Sequence, residues 1–153
     1  MYDSLLIAQY IMAKCNELKK DNPDYEYNNT KIQKLLYVLY GFYWAKRRLR
    51  LTNERPRLWP YGPVFVKVFE DIQKNDFYLD DTKASLFEAI EERDKEEFDP
   101  HIKSLGKCMA SALSKWSHEE GSPWSKTKSD VGERWNTPID DGYIEEYFRK
   151  LTR

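Results

Sequence analysis

Apolar residues recur at steps of three and four in one stretch of this chain after another, and that spacing restricts the fold more than any other feature. Side chains three or four positions apart share a helix face, so each stretch reads as an amphipathic helix. Leu5, Ala8, Ile11, Met12, Cys15 and Leu18 predict a first helix over 4–20, capped by Asp3 or Ser4 and stopped at Asn22-Pro23. Ile32, Leu35, Leu36, Leu39, Phe42 and Tyr43 predict a second over 30–48, capped by Asn28, Asn29 or Thr30. Its mid-helix Gly41 costs about 1 kcal/mol relative to Ala and implies close approach of a backbone or a bulky ring. Residues 50–62 hold Asn53, Pro56, Pro60 and Gly62 and read as a loop. Leu58 and Trp59 tuck inward from that loop as a short extended piece. Pro63 suits the first position of a third helix, 63–74. Leu86, Phe87 and Ile90 fit a helix starting after Asp80 or Asp81. Asp99-Pro100 opens another over 100–116, with Met109 and Ala112 in its stripe. Residues 125–138 read as a polar loop. A last helix over 141–151 turns Ile144, Tyr147, Phe148 and Leu151 inward. The expected fold is all-α: one compact domain over 1–153, a bundle of five to seven helices with an extended aromatic and proline loop.

The 153 residues suit one domain, and their aromatic share of 15% supplies enough burial to argue against disorder. Charge nearly cancels, with 25 Lys plus Arg against 26 Asp plus Glu, so nothing in the total demands nucleic acid or an anionic membrane. Locally the charges separate into runs. Lys46, Arg47, Arg48, Arg50, Arg55 and Arg57 crowd one stretch; Glu88, Glu91, Glu92, Asp94, Glu96, Glu97 and Asp99 crowd another. Such runs are usually solvated faces. The two cysteines, Cys15 and Cys108, read as small buried hydrophobes in a reducing compartment. No stretch is apolar enough to span a membrane, and the N-terminus has no basic leader, so a cytoplasmic protein is expected.

Chemistry is harder to place. His101 and His118 are the two imidazoles, and no GxSxG elbow, HExxH, CxxC, calcium loop or phosphate-cradling glycine run occurs. An acid–base pair of His118 with Glu119 or Glu120 is disfavoured, because adjacent helical positions point apart. The sequence therefore predicts no cofactor, no metal and no enzymatic activity. Two aromatic turns stand out instead: Leu58-Trp-Pro-Tyr-Gly-Pro-Val64 and Trp116-Ser-His-Glu-Glu-Gly-Ser-Pro-Trp124. In each, proline and glycine hold a Trp on a stiff corner. Such rings plug a core where helices meet, or anchor an interface at low entropy cost.

The same residues carry a family likeness. Lys34-Leu-Leu-Tyr37 followed by Gly41, then Trp59-Pro-Tyr-Gly-Pro-Val64, Ser117-His-Glu-Glu-Gly-Ser-Pro-Trp124, Ile139 and Tyr147-Phe148 resemble the Panacea domain of SocA-like antitoxins and phage-associated GepA proteins. The likeness covers almost the whole chain. It departs at Trp116, Ser117 and Leu58, where the family has an aliphatic residue, Thr and a small residue. It implies a bacterial or phage protein that binds and neutralises a toxin encoded beside it, directly or as an adaptor to a Clp-type protease. It also implies a binding motif: Lys34, Tyr37, Trp59, Tyr61, Gly62, Pro63, His118, Glu119, Pro123 and Trp124. Arg47, Arg48, Arg50, Arg55 and Arg57 would add a basic contact surface, since Arg and aromatic side chains dominate interface energies. The rival reading is nucleic-acid binding through the basic and aromatic stretch 43–61, and near-neutral net charge argues against it.

Overall fold

The computed structural model describes residues 1–75 and 81–152. Among them are seven α-helices: α1 Ser4–Lys19, α2 Asn29–Arg47, α3 Val66–Asn75, α4 Glu92–Leu105, α5 Ala110–Ser117, α6 Pro123–Val131 and α7 Asp141–Leu151. A two-stranded antiparallel hairpin, β1 Arg57–Trp59 and β2 Gly62–Val64, separates α2 from α3. The mainly helical architecture is as the periodicity predicts.

The best-predicted helices have caps that act locally. Asp3 accepts from the Leu5 N–H, Asn28 from that of Lys31, and Asp140 from that of Tyr143. α2 is the axis of the molecule: α1, α3, α4, α5 and α7 all pack on it, and residues 31–41 are buried without interruption. The core runs from Ile7 in α1 to Phe148 in α7. Gly41 admits the bulky ring that its position implies, because a Cβ there would stand 2.2 Å from Phe148 Cε2.

Four expectations are corrected. Pro63 does not start a helix but lies in β2, and α3 begins at Val66. The cause is tertiary. Gln33 projects from α2 and pairs with the Phe65 backbone like a neighbouring strand, accepting its N–H at 2.8 Å and donating to its carbonyl at 3.2 Å. The expected 100–116 helix is two, and Pro100 lies inside the first. Asp99 does not cap; it accepts from the Tyr10 hydroxyl. The chain breaks at Gly106, where a Cβ would stand 2.5 Å from the Ile102 carbonyl and 3.0 Å from the Tyr25 ring. That break takes Met109 out of the stripe, leaving it 72% exposed. Residues 81–89 form a 3-10 helix, not an α-helix; Asp80 lies outside the described residues. Finally, much of the expected 125–138 loop is α6, with Ser122 accepting from the Ser125 N–H and Pro123 at the first turn.

Both hairpin edges are covered. β1 exchanges backbone hydrogen bonds with residues 136–137, Leu58 N–H to Thr137 O and Asn136 N–H to Leu58 O, both 2.7 Å. β2 lies against α2. No strand edge is left open for an added strand there. No helix among the described residues is long and apolar enough to cross a membrane.

The opposite charge runs meet each other. Arg47 pairs with Glu97 and stands 3.6 Å from Asp94, and Lys46 reaches Glu97 at 2.8 Å. Arg48 pairs with Glu145, while Arg50 and Arg55 share Asp141. Arg57 donates to the Asn136 carbonyl. The cations therefore fasten α4, α7 and the 136–139 segment around the end of α2. Asp94, 1% exposed, also accepts from the Tyr2 hydroxyl. That bond and burial push the Tyr2 phenol up to about 12, burial being the larger cause.

Candidate functional site

The two aromatic turns pack against each other and against the first half of α2. Trp124 donates its indole N–H to the Trp59 carbonyl at 2.8 Å, and Ser114 on α5 donates to the Tyr61 carbonyl at 3.1 Å. Trp59 sets its ring edge against Phe69 and donates to the Asn136 side chain. The hairpin turn Pro60-Tyr61 is thereby held from three sides. At its tip the Tyr61 ring is 79% exposed.

Gly62 makes this approach possible. Its φ is +119°, in the region that favours glycine. A Cβ there would lie 2.4 Å from Ser117 Oγ and 3.1 Å from Lys34 Nζ. The hairpin backbone is thus wedged between α2 and α5. Ser117, whose hydroxyl donates back to the Ser114 carbonyl at 2.7 Å, is buried against it.

Lys34 sits beneath the hairpin, 3% exposed. Its ammonium donates to the Pro63 carbonyl at 3.0 Å. A cavity of about 340 Å³ opens beside it, walled by Trp59, Val64 and Phe69, with Tyr61 at the rim and Thr30 and Ser114 supplying hydroxyls. An apolar hollow with a few convergent polar groups is the usual form of a binding site. A second cavity, about 590 Å³, lies between α2, α4 and the end of α7. There His101 stacks on Phe42 at 4.3 Å, and burial pulls its pKa down. Lys46 and Glu97 in that wall pair with each other. None of the motif residues lines that larger cavity.

Of the motif residues, Lys34, Trp59 and Tyr61 line the smaller cavity, while Gly62, Pro63 and Trp124 build its frame. Pro123 is buried at the start of α6. His118 ends α5 with its ring edge-on to Trp124, 5.5 Å between centroids. Its Nδ1 and the Tyr37 hydroxyl are buried with no hydrogen-bond partner among the described residues. Glu119 is exposed and makes no ion pair with His118 among those residues. Tyr37 packs its ring on Phe148 and Trp116. The arginines stand apart from the cavity and are occupied with α4, α7 and Asn136. Sequence reasoning left Gln33 and Ser114 unremarked: both carry polar groups that hold the hairpin, and neither lies in a recognisable motif.

Burial pushes the Lys34 amine down to about 8 from its ordinary 10.5. Below pH 8 both folded and unfolded chains hold the proton, and the folded state bears the full desolvation cost. Between about 8 and about 10.5 the folded amine loses the proton while the unfolded one keeps it, so this group makes stability rise with pH. Relative to Lys34→Met, the native protein should gain on the order of 3 kcal/mol across that window. Urea melts of both proteins at the two ends test this. The comparison cancels Cys15, whose thiol burial pushes up to about 11, giving a term of opposite sign. A difference that stays flat with pH would show that Lys34 titrates normally.

The helical frame holds the rigid aromatic corner around a preformed apolar hollow, and no group of three or more His, Cys, Asp or Glu side chains is placed to hold a metal ion among the described residues. Residues 32–125 match the model of the family described as antitoxin SocA-like, Panacea domain. The match spans more than half of the chain and holds the whole corner, from Lys34 to Trp124; the chain belongs to that family. No curated protein and no solved structure matches it.

Proposed function

We propose that this protein is an antitoxin that neutralises a protein toxin encoded beside it by binding through the hairpin corner. Membership of the SocA-like family carries the reading, and the corner supplies a surface suited to it. Rigid aromatics over a preformed hollow lose little freedom on binding, which favours affinity. Tyr61 is the natural anchor, being a large ring left 79% exposed on a fixed turn. The arginines are left out of this contact, because each already has an intramolecular partner. Their engagement also weakens the nucleic-acid reading, which needs free cations beside the rings. Neutralisation proceeds by masking the toxin in a complex or by presenting it to a Clp-type protease in the cytoplasm.

Co-expression tests this. The neighbouring gene alone should arrest growth, and this chain should restore it. Tyr61→Ala should leave the melting temperature unchanged while weakening the complex at least about thirtyfold, the effect of losing an interface anchor worth about 2 kcal/mol. Toxin levels that stay constant during rescue indicate masking, and levels that fall indicate degradation. A neighbour that is harmless alone and does not associate with this chain would count heavily against the antitoxin reading.

A further inference from the structure

We propose that the cavity over Lys34 is a socket for an acidic side chain of the partner protein, an Asp or Glu beside an apolar residue, with the Lys34 ammonium as its counter-ion. This rests on the reading of the chain as a toxin-binding protein.

Two lysines one turn apart on α2 make the case. Lys31 is 4% exposed and Lys34 is 3% exposed. The Lys31 ammonium is fully served, donating to the carbonyls of Asp24, Glu26 and Gly106 at 2.9, 2.7 and 2.9 Å. An ammonium has three donors, and three carbonyls use them all. Lys34 has one acceptor, the Pro63 carbonyl. Two donors remain, and no charged group among the described residues acts on it; desolvation alone pulls its pKa down. A buried cation left without a counter-ion is costly, and a carboxylate entering beside it recovers that cost. Lys31 is built into the fold, whereas Lys34 is built for something that arrives.

The walls identify the arrival. Trp59, Val64 and Phe69 are apolar, so an anion carried on a hydrocarbon stem fits better than a hydrated free anion. The single ammonium matches the single charge of a carboxylate. The volume of about 340 Å³ is at the small end for ligand sites and suits side chains more than a cofactor. Tyr61 stands at the rim, where its ring covers an apolar neighbour of the acid. A nucleic-acid strand would need further free cations nearby, and those in the 46–57 run are already engaged.

The full chain, labelled at its lysine side chains, is titrated by NMR with a blocked Glu-Phe peptide, the matching Gln-Phe peptide and inorganic phosphate. The Glu peptide should shift the Lys34 signal and raise its pKa, and the other two should not. Glu and Gln peptides that act alike, phosphate that acts as well as the Glu peptide, or no shift at saturation would overturn the proposal. In parallel, Lys34→Met removes the charge and keeps the stem. It should melt at the same temperature or higher, because an unpaired buried charge is gone, yet bind the toxin at least about thirtyfold more weakly. A folded Lys34→Met that still rescues growth sinks the socket while the antitoxin reading stands. A variant that loses its melting transition shows a structural lysine and sinks it too. A Glu-specific shift in a protein that rescues nothing keeps the socket and removes the antitoxin reading.

Discussion

Trp124→Ala should unfold at a far lower urea concentration than the parent, losing about 3–5 kcal/mol, the usual range for truncating a buried aromatic. The ring is 7% exposed and joins elements far apart in the chain. Its indole N–H donates to the Trp59 carbonyl, its ring makes a T-shaped contact with His118, and Lys128 stands over it at 5.5 Å. Truncation leaves a hole and also removes the indole hydrogen bond to the Trp59 carbonyl. Trp124→Phe separates the two, keeping most of the burial and losing only the hydrogen bond, at about 1 kcal/mol. Trp59 differs, although the sequence presents the two as equivalents. It is half-buried and forms cavity wall, so Trp59→Ala should act more on partner binding than on stability. If Trp124→Ala melts within about 1 kcal/mol of the parent, the corner is not pinned by this ring and the rigid-platform argument loses its support.

How much of this was legible in the sequence depends on whether the cause was local. α1, α2 and α7 were, because Asp3, Asn28 and Asp140 cap them through residues two or three positions away. Pro63 misled because proline before an apolar run is a helix start in most settings. What overrides it is the Gln33 amide reaching Phe65 from another helix, and no local pattern reports that. The break at Gly106 is likewise set from outside, by the Tyr25 ring and by the Gly106 carbonyl serving Lys31. α6 was hidden by polarity: only Thr127 joins Pro123 and Trp124 on its buried side, too few to print a helical period. The family likeness marked the motif residues, but it could not distinguish Lys34 from Lys31. Their difference lies in how many carbonyls come within reach, which only the assembled fold decides. By composition alone the charge runs make a solvated or partner-facing surface. Their meeting across α2 and α4 is a property of helix packing, invisible to composition.

Gly41→Ala tests the packing of the axis itself, and here two physical effects have opposite signs. Helix propensity alone favours Ala by about 1 kcal/mol. Sterics oppose it, because the added methyl would stand 2.2, 2.3 and 2.5 Å from Phe148 Cε2, Cδ2 and Cζ. The Phe148 ring has nowhere to go. It is fully buried, with Tyr37, Phe42 and Tyr147 at centroid distances of 5.4, 5.1 and 5.4 Å. To relieve the contact α7 must move off α2, and the ion pairs of Arg48, Arg50 and Arg55 to α7 move with it. The substitution should therefore destabilise by about 3 kcal/mol or more, at the upper end of the range for overpacking. Phe148→Leu combined with Gly41→Ala should cost much less than the two changes summed, because the smaller side chain vacates the space the methyl needs. A coupling of at least about 1 kcal/mol in that double-mutant cycle would locate the strain at this contact. A Gly41→Ala protein more stable than the parent would mean that propensity wins and that α7 packs more loosely on α2 than these distances require.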